Sequence, residues 1–189
     1  MVNRIETEIK LELNEEEFGL CQAKLVGLGC VEAKRSFLTD YFFNIEKFDD
    51  KGWNFTRIRV YDGKNYEKTR KVWELNSKGE RIRREEEEES SELELNEVVA
   101  SGNYFKAEKV RTDYQGKMFD LPCVFSFDKL AFSDETRYFM EAELDGVPED
   151  ESDSIRVKMK EWLLNNLNLT DRSEGIGMMK LVLSKAGVA

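Results

Sequence analysis

The sequence contains no histidine, only two prolines and only three cysteines in 189 residues. Without histidine the chain has no Ser-His-Asp or Cys-His nucleophile system and no imidazole metal site. Any general base is then a carboxylate, a lysine of lowered pKa, a tyrosine or a metal-bound hydroxide. Any metal is a hard cation held by carboxylate oxygens.

The three cysteines, Cys21, Cys30 and Cys123, follow no metal-binding spacing and are odd in number. Cytosolic proteins keep thiols reduced, and free cysteines behave as small buried apolar residues. We therefore interpret them as reduced, mostly buried thiols of a cytoplasmic protein.

Long apolar runs and an excess of positive charge are also missing. No apolar stretch approaches the roughly 20 residues that span a bilayer, and the start, MVNRIETEIK, lacks the apolar core of a secretory signal. The 29 basic residues are outnumbered by 39 acidic ones, which gives a net charge of −10. Phosphate-backbone affinity depends on clustered excess Lys and Arg. The expected partners therefore include neither a membrane nor nucleic acid.

Short segments in which apolar and polar residues alternate dominate the chain, and this period of two is typical of half-buried strands. A helix with a capping-box-like start is expected after Asn14, and C-terminal helices over about 152–186. The sequence predicts an α+β chain of about eight strands in antiparallel hairpins. The strand segments are 4–13, 36–44, 55–61, 66–73, 81–89, 104–114, 124–130 and 137–144.

Most of these segments have one apolar face and one charged face, and the charges come in like-signed pairs two residues apart. Two interpretations stay open. The first is an ordinary sheet with one solvent-exposed charged face, and the second is a closed barrel whose interior holds paired charges of both signs. A polyphosphate with its divalent metal would suit such an interior, because the cations bind phosphate oxygens and the carboxylates bind the metal. The pairs are Glu6/Glu8, Arg57/Arg59, Lys68/Arg70, Arg81/Arg83, Lys109/Arg111 and Glu141/Glu143.

The order of these charges resembles a known family. The first strand carries an ExExK motif, Glu6 to Lys10, and matching elements follow over about 4–145. They resemble the CYTH superfamily, the triphosphate tunnel metalloenzymes, which includes class IV adenylate cyclases and several triphosphatases. The later elements are Asp40-Tyr41-Phe42, Arg57-Ile58-Arg59, Lys68, Arg83 with Glu85 and Glu87, Lys109-Val110-Arg111, and Asp128 followed by Glu141-Ala142-Glu143.

The resemblance implies one domain over 1–189, with a closed eight-stranded antiparallel barrel, or tunnel, over about 4–145 and helices packed outside. It implies a divalent-metal-dependent enzyme, using Mg²⁺ or Mn²⁺, with Glu6, Glu8 and Lys10 in catalytic roles. The implied metal ligands are Glu6, Glu8, Asp128, Glu141 and Glu143. The implied triphosphate contacts are Lys10, Arg57, Arg59, Lys68, Arg83, Lys109 and Arg111. Whether Lys68 or Arg70 faces the tunnel, and the register of 81–89, are left open.

Three activities are compatible with this resemblance. Hydrolysis of the terminal phosphate of tripolyphosphate, thiamine triphosphate or a nucleoside triphosphate is favoured, because the sequence shows no recognisable adenine-reading element. The alternatives are a class IV-type adenylate cyclase, which converts ATP to cyclic AMP and pyrophosphate, and a non-catalytic binder of polyphosphate or nucleotide. Trp53, Trp73 and Trp162 are interpreted as packing residues. The expected partner is a small triphosphate-containing molecule, and a homodimer is left open.

Overall fold

The computed structural model describes residues 2–5, 7–49, 52–75, 77, 79, 81–132, 134–148, 151–170 and 178–185. In this part of the chain the secondary structure is α+β with antiparallel strands, as the sequence predicts. The elements are β1 (Val2–Ile5), β2 (Thr7–Leu13), α1 (Glu15–Gly27), β3 (Val31–Lys47), β4 (Trp53–Tyr61), β5 (Asn65–Leu75), β6 (Arg81–Glu89), α2 (Glu92–Ser101), β7 (Phe105–Met118), β8 (Leu121–Ala131), β9 (Thr136–Leu144), α3 (Ser152–Leu167) and α4 (Met178–Lys185).

The described strands number nine rather than about eight. The predicted first strand, 4–13, is described as two strands, β1 and β2, on either side of residue 6. Glu6 itself lies outside the described residues. Among those that are described, no helix combines the length and the apolar character that crossing a membrane requires.

The chain groups into two compact units, each drawn from separate stretches of sequence. Unit 1 comprises Met1–Glu6, Phe37–Glu108 and Gly177–Ala189, and unit 2 comprises Thr7–Ser36 and Lys109–Ile176. Strands β3 and β7 therefore contribute residues to both units. The organisation as one domain over 1–189 stays a prediction.

In unit 1 the described antiparallel pairs are β1 with β6, β6 with β5, β5 with β4, and β4 with β3. One face of this sheet buries Ile58 and Val60 against Leu95 of α2. On the other face, Phe42 packs against Val182 and Leu183 of α4. The helix α4 therefore covers part of a different face from α2.

In unit 2 the strands pair in the order β7, β8, β9, β2. The predicted helix start is confirmed, because the Asn14 side chain accepts a hydrogen bond from the Glu17 N–H at 2.9 Å and Glu17 accepts one from the Asn14 N–H at 3.0 Å. Helices α1 and α3 cover one face of the sheet and form the largest apolar cluster. Its fully buried members include Ile9, Leu11, Leu25, Phe125, Phe127, Met140, Met159 and Leu163.

All three cysteines are free and buried, as the sequence predicts. Burial raises the pKa of the Cys123 thiol to about 12 and also raises the pKa of Cys30. Because the thiolate is the reactive form of cysteine, these two thiols are poorly reactive near neutral pH.

Position 116 in β7 has room only for glycine, because the side chain of Cys30 packs directly against it. A Cβ at position 116 would lie 2.4 Å from Cys30 Sγ. We expect Gly116→Ala to lower the free energy of unfolding by about 1–3 kcal/mol, because the core is overpacked there. Urea denaturation checks the prediction. With Cys30→Ala in the background the same substitution is expected to cost less, and an equal cost in both backgrounds would rule out the clash as its cause.

Candidate functional site

The face of unit 2 opposite its apolar cluster carries charges on every strand. Lys10 lies directly opposite Glu141, Glu141 opposite Ser126, and Asp128 opposite Arg111. Side chains directly opposite in an antiparallel pair lie on the same side, and they alternate with the residues of the core face. These residues therefore share one face, which we call the charged face of unit 2.

Asp128 is the centre of a buried ion-pair network on this face. It accepts hydrogen bonds from Lys109 Nζ at 2.7 Å and from Arg111 Nε and Nη2, both at 2.6 Å. Lys109 is 2% exposed and Asp128 1% exposed. Arg111 also contacts Glu141, which pairs with Lys10 as well. Buried charges are tolerated when they are paired, and this network supplies the pairs.

The ion pairs favour the charged forms of Glu141, Asp128 and Arg111. Burial alone would raise the pKa of Glu141, but the charges of Lys10, Arg111 and Lys109 hold that pKa well below its ordinary value. Burial likewise acts to raise the pKa of Asp128, and Arg111 and Lys109 outweigh it, so the pKa is lowered. Burial acts to lower the pKa of Arg111, yet Asp128 and Glu141 keep it well above the ordinary value.

Two more carboxylates, Glu8 and Glu143, lie directly opposite each other in the pairing of β2 with β9. Like charges directly opposite in a sheet are unfavourable, and carboxylate oxygens are the donors that hard divalent cations prefer. The donor chemistry therefore fits Mg²⁺ or Mn²⁺. Within the described residues, no group of three or more acidic, histidine or cysteine side chains is preformed for a metal ion. The predicted further ligand, Glu6, is not among those residues, so the metal roles stay predictions.

Unit 1 also has a charged face, formed around two arginines of β4. Arg59 Nε and Nη2 donate to the carboxylate of Asp40 at 2.6 and 2.9 Å. Arg57 Nη2 donates to Thr69 Oγ1 at 2.8 Å. Arg57 Nε is buried and has no hydrogen-bond acceptor among the described residues. A buried guanidinium N–H without an acceptor is costly, so this position suits an acceptor oxygen from a ligand.

The lysine of β5 on this face is Lys71, not Lys68. Lys71 lies opposite Glu85 of β6, and its Nζ is 3.1 Å from Glu85 Oε1. It also lies opposite Phe55, on the same side as Arg57. Lys71 was not among the residues predicted from sequence, because cations at positions 68, 70 and 71 occupy both faces of β5.

Lys68 lies opposite Ile58, on the apolar face that packs against α2. Its Nζ is 2.6 Å from Glu94 of α2 and 2.8 Å from Glu88. The side chain of Arg70 is 60% exposed and 3.3 Å from Glu86, also away from the charged face. Lys68, a predicted phosphate contact, therefore lies on the opposite face of β5 from Arg57, and Arg70 lies on that same opposite face.

The register of 81–89, which the sequence left open, is settled by the pairing of β6 with β5. Arg83 lies opposite Trp73 and Glu85 opposite Lys71, so both share the charged face of unit 1. Arg83 Cζ is 5.5 Å from the centroid of the Trp73 ring. Asp40 and Glu85 are motif residues whose role as partners of Arg59 and Lys71 the sequence did not reveal.

The helix α4 packs on a different face from α2 within unit 1. Phe42, which clusters with Val182 and Leu183 of α4, lies directly opposite Arg57, so α4 packs on the charged face of unit 1. Helices α1, α2 and α3 pack on the apolar faces of their units.

The ion pair between Lys68 and Glu94 gives a pH-dependent prediction. The hydrogen bond from Lys68 holds the pKa of Glu94 below its ordinary value of 4.5, against the effect of burial, and Ser90 adds to the lowering. A lowered pKa in the folded state stabilises the fold above the unfolded-state pKa, and this contribution disappears as the pH falls through the folded-state pKa. Lys68→Met is expected to cost about 0.2–1 kcal/mol near neutral pH. Urea denaturation from pH 7 downward should show this cost shrinking below the ordinary pKa, whereas a constant cost would contradict the assignment.

Comparison with known proteins gives the same fold. The sequence profile of the CYTH domain matches residues 4–164. The PH1819 protein of Pyrococcus horikoshii OT3 is 18% identical, with a TM-score of 0.66, covering 95% of this chain and 99% of its own. The Hippeastrum protein HpAC1, a putative adenylyl cyclase described as having a dominant triphosphatase activity, is 19% identical, with a TM-score of 0.65, covering 95% and 96%. A putative adenylate cyclase of Bacillus halodurans is 13% identical, with a TM-score of 0.63, covering 95% and 98%.

At these identities the likeness to the solved structures concerns the fold alone. No curated protein shows significant similarity to the sequence. The profile match covers most of the chain and includes the strands that carry both charged faces. The chain therefore belongs to the CYTH domain family.

Proposed function

We propose that this protein is a divalent-metal-dependent enzyme that hydrolyses the terminal phosphate of a triphosphate substrate. The observation that carries the proposal is the burial of mixed charges on one face of the sheet in each unit. The cations of an ordinary solvent-exposed sheet face would be accessible to water, yet Arg59 is only 5% exposed and Lys109 only 2% exposed. Family membership supports the same reading, because the resemblance implies a triphosphate held by these positions.

The cations of both charged faces are suited to phosphate oxygens. Guanidinium groups bind phosphate through two parallel hydrogen bonds, and lysines add point charges. In unit 2, Lys10 and Arg111 would exchange their ion pairs with Glu141 for phosphate oxygens, while Asp128 keeps Lys109 and Arg111 oriented. In unit 1 the assigned contacts are Arg57, Arg59, Arg83 and Lys71, the last replacing Lys68.

Three carboxylates of unit 2 are the proposed metal ligands. Asp128, for which the resemblance also implies a metal role, is assigned instead to hold Lys109 and Arg111. Glu141, once released by Lys10 and Arg111, would join Glu8 and Glu143 as an oxygen donor. The metal role of Glu6 stays an expectation from the resemblance. Mg²⁺ or Mn²⁺ held there would neutralise phosphate charge and lower the pKa of a bound water. Phosphoryl transfer requires mainly alignment and charge neutralisation, so a site without a side-chain nucleophile suffices.

The proposal keeps three further expectations from the resemblance. The strands close into an eight-stranded barrel, the protein acts in the cytoplasm, and its partner is a small triphosphate rather than nucleic acid. The support for the barrel is family membership. A homodimer stays open.

Product analysis tests the proposed activity. The protein is incubated with tripolyphosphate, thiamine triphosphate or ATP in Mg²⁺ or Mn²⁺, and the products are resolved by ion exchange. Orthophosphate as the released product is expected. Cyclic AMP with pyrophosphate would instead indicate a cyclase, and binding in calorimetry with no product over hours would indicate a non-catalytic binder.

A pair of lysine variants ties this activity to the charged face of unit 2. Lys10→Met removes a cation from that face. Lys129→Met is the matched control, because Lys129 lies opposite Tyr138 on the other side of β8 and its Nζ is 5.5 Å from the centroid of that ring. Loss of activity in Lys10→Met alone is expected, and equal behaviour of the two variants would count against the proposal.

A further inference from the structure

Trp73 differs from the other two tryptophans in what its ring faces. Trp53 packs in the apolar cluster around Phe42, and Trp162 stacks on Phe125 with ring centroids 6.0 Å apart, so both are packing residues as the sequence predicts. The ring of Trp73 instead faces a cation, Arg83, whose Cζ lies 5.5 Å from the ring centroid.

The cation–π pair of Trp73 and Arg83 is held in place by the sheet. The two residues lie directly opposite each other in β5 and β6. The backbone N–H of Trp73 donates to Asn54 Oδ1 of β4 at 2.8 Å, which fixes the strand at this position. Both side chains are only half-buried, so a ligand has access to them.

Trp73 and Arg83 form the next cross-strand pair after Lys71 and Glu85 on the charged face of unit 1. Residues two apart on a strand are separated by about 6.6 Å. An aromatic ring joined to a phosphate chain through a sugar or a short alkyl linker spans a distance of this size. Arg83, whose Cζ lies 5.5 Å from the centroid of the Trp73 ring, is therefore placed to contact a phosphate beside the indole.

Indole faces and guanidinium planes are the groups on which nucleobases stack, and such stacking tolerates any flat ring. We propose that Trp73 and Arg83 form a subsite for a flat aromatic head group, so that the substrate is an aromatic triphosphate rather than inorganic tripolyphosphate. This inference rests on the proposed function and narrows its substrate class. Trp73 is then a specificity-determining residue, and its removal affects only substrates that carry a ring.

Inorganic tripolyphosphate is the matched control substrate, because it carries the phosphates without the ring. KM and kcat are measured for ATP, thiamine triphosphate and tripolyphosphate with wild type, Trp73→Ala and Trp73→Phe. Trp73→Ala is expected to raise KM for the preferred aromatic substrate about tenfold or more, with KM for tripolyphosphate nearly unchanged. Trp73→Phe, which keeps a ring, is expected to restore most of the affinity.

Leu75→Ala serves as the control variant, since Leu75 is the next residue on the same face of β5 and is 61% exposed. We expect it to change no KM. An equal rise in KM for tripolyphosphate and for the aromatic substrates in Trp73→Ala would mean that Trp73 is structural, and would overturn the inference.

Two outcomes separate this inference from the proposed function. Wild type that hydrolyses tripolyphosphate but neither aromatic substrate would overturn the inference and leave the proposed function standing. Wild type that binds all three compounds without hydrolysis would overturn the proposed function. In that case the dissociation constants of Trp73→Ala and Trp73→Phe are compared by calorimetry. Weaker binding of aromatic ligands alone in Trp73→Ala supports the subsite. Equally weakened binding of all three ligands, or no change in binding, overturns it.

Discussion

Lys71→Met is expected to lower kcat/KM for the triphosphate substrate by about 100-fold or more, a loss comparable to removing one electrostatic contact to a transition state. Lys68→Met is expected to leave kcat/KM nearly unchanged. The two lysines lie three residues apart on β5 but on opposite faces of the sheet. Lys71 shares the face of Arg57 and Glu85, whereas Lys68 pairs with Glu94 of α2. Phosphate release under identical conditions measures both effects.

Stability must be separated from activity in the Lys71 variant, because Glu85 is buried and loses its ion pair with Lys71. The double variant Lys71→Met with Glu85→Gln removes the buried carboxylate charge as well. It is expected to recover stability in urea denaturation without recovering activity. Equal losses of activity at positions 68 and 71 would contradict the assignment of the charged face, and a loss at Lys68 alone would favour the assignment made from sequence.

Asp128→Ala is expected to lower the free energy of unfolding by about 3–5 kcal/mol, since it leaves Lys109 and Arg111 without their shared carboxylate. For a chain of this size that corresponds to a fall in Tm of roughly 6–20 °C. Glu108→Ala is the matched control. Glu108 pairs with Lys106 at 2.6 Å, with both side chains nearly half exposed, and such surface pairs contribute less than about 1 kcal/mol.

The double variant Asp128→Ala with Lys109→Met tests the reason for this loss. Removing the buried lysine charge together with its partner is expected to recover part of the stability, because uncompensated charge rather than lost packing causes most of the cost. A loss of less than about 1 kcal/mol in Asp128→Ala would show that the network is not closed to solvent.

The period-two pattern was sufficient to predict the strands and the antiparallel α+β class. It also predicted which residues of unit 2 share a face, because Lys10 and Glu141 alternate with apolar neighbours, and Lys109 and Arg111 lie two residues apart on either side of Val110. The start of α1 was predictable because its capping box is local. These features depend on residues that are close in sequence.

The errors arose where alternation gives no answer. Cations at positions 68, 70 and 71 occupy both faces of β5, so only the pairing with β4 and β6 identifies Lys71. The glutamates of β6 also occupy both faces, and the pairing with β5 sets their register. The position of α4 depends on its contact with Phe42, which is distant in the chain. Such choices are made by tertiary contacts that a single sequence does not display.

The most direct test of the central claim is a crystal structure of the protein with Mn²⁺ and a non-hydrolysable triphosphate. The account predicts phosphate oxygens within hydrogen-bond distance of Arg57 and Arg59, or of Lys109 and Arg111, and anomalous density for Mn²⁺ beside Glu8 and Glu143. A triphosphate bound only near Lys68 and Arg70, on the opposite face of β5, would contradict it.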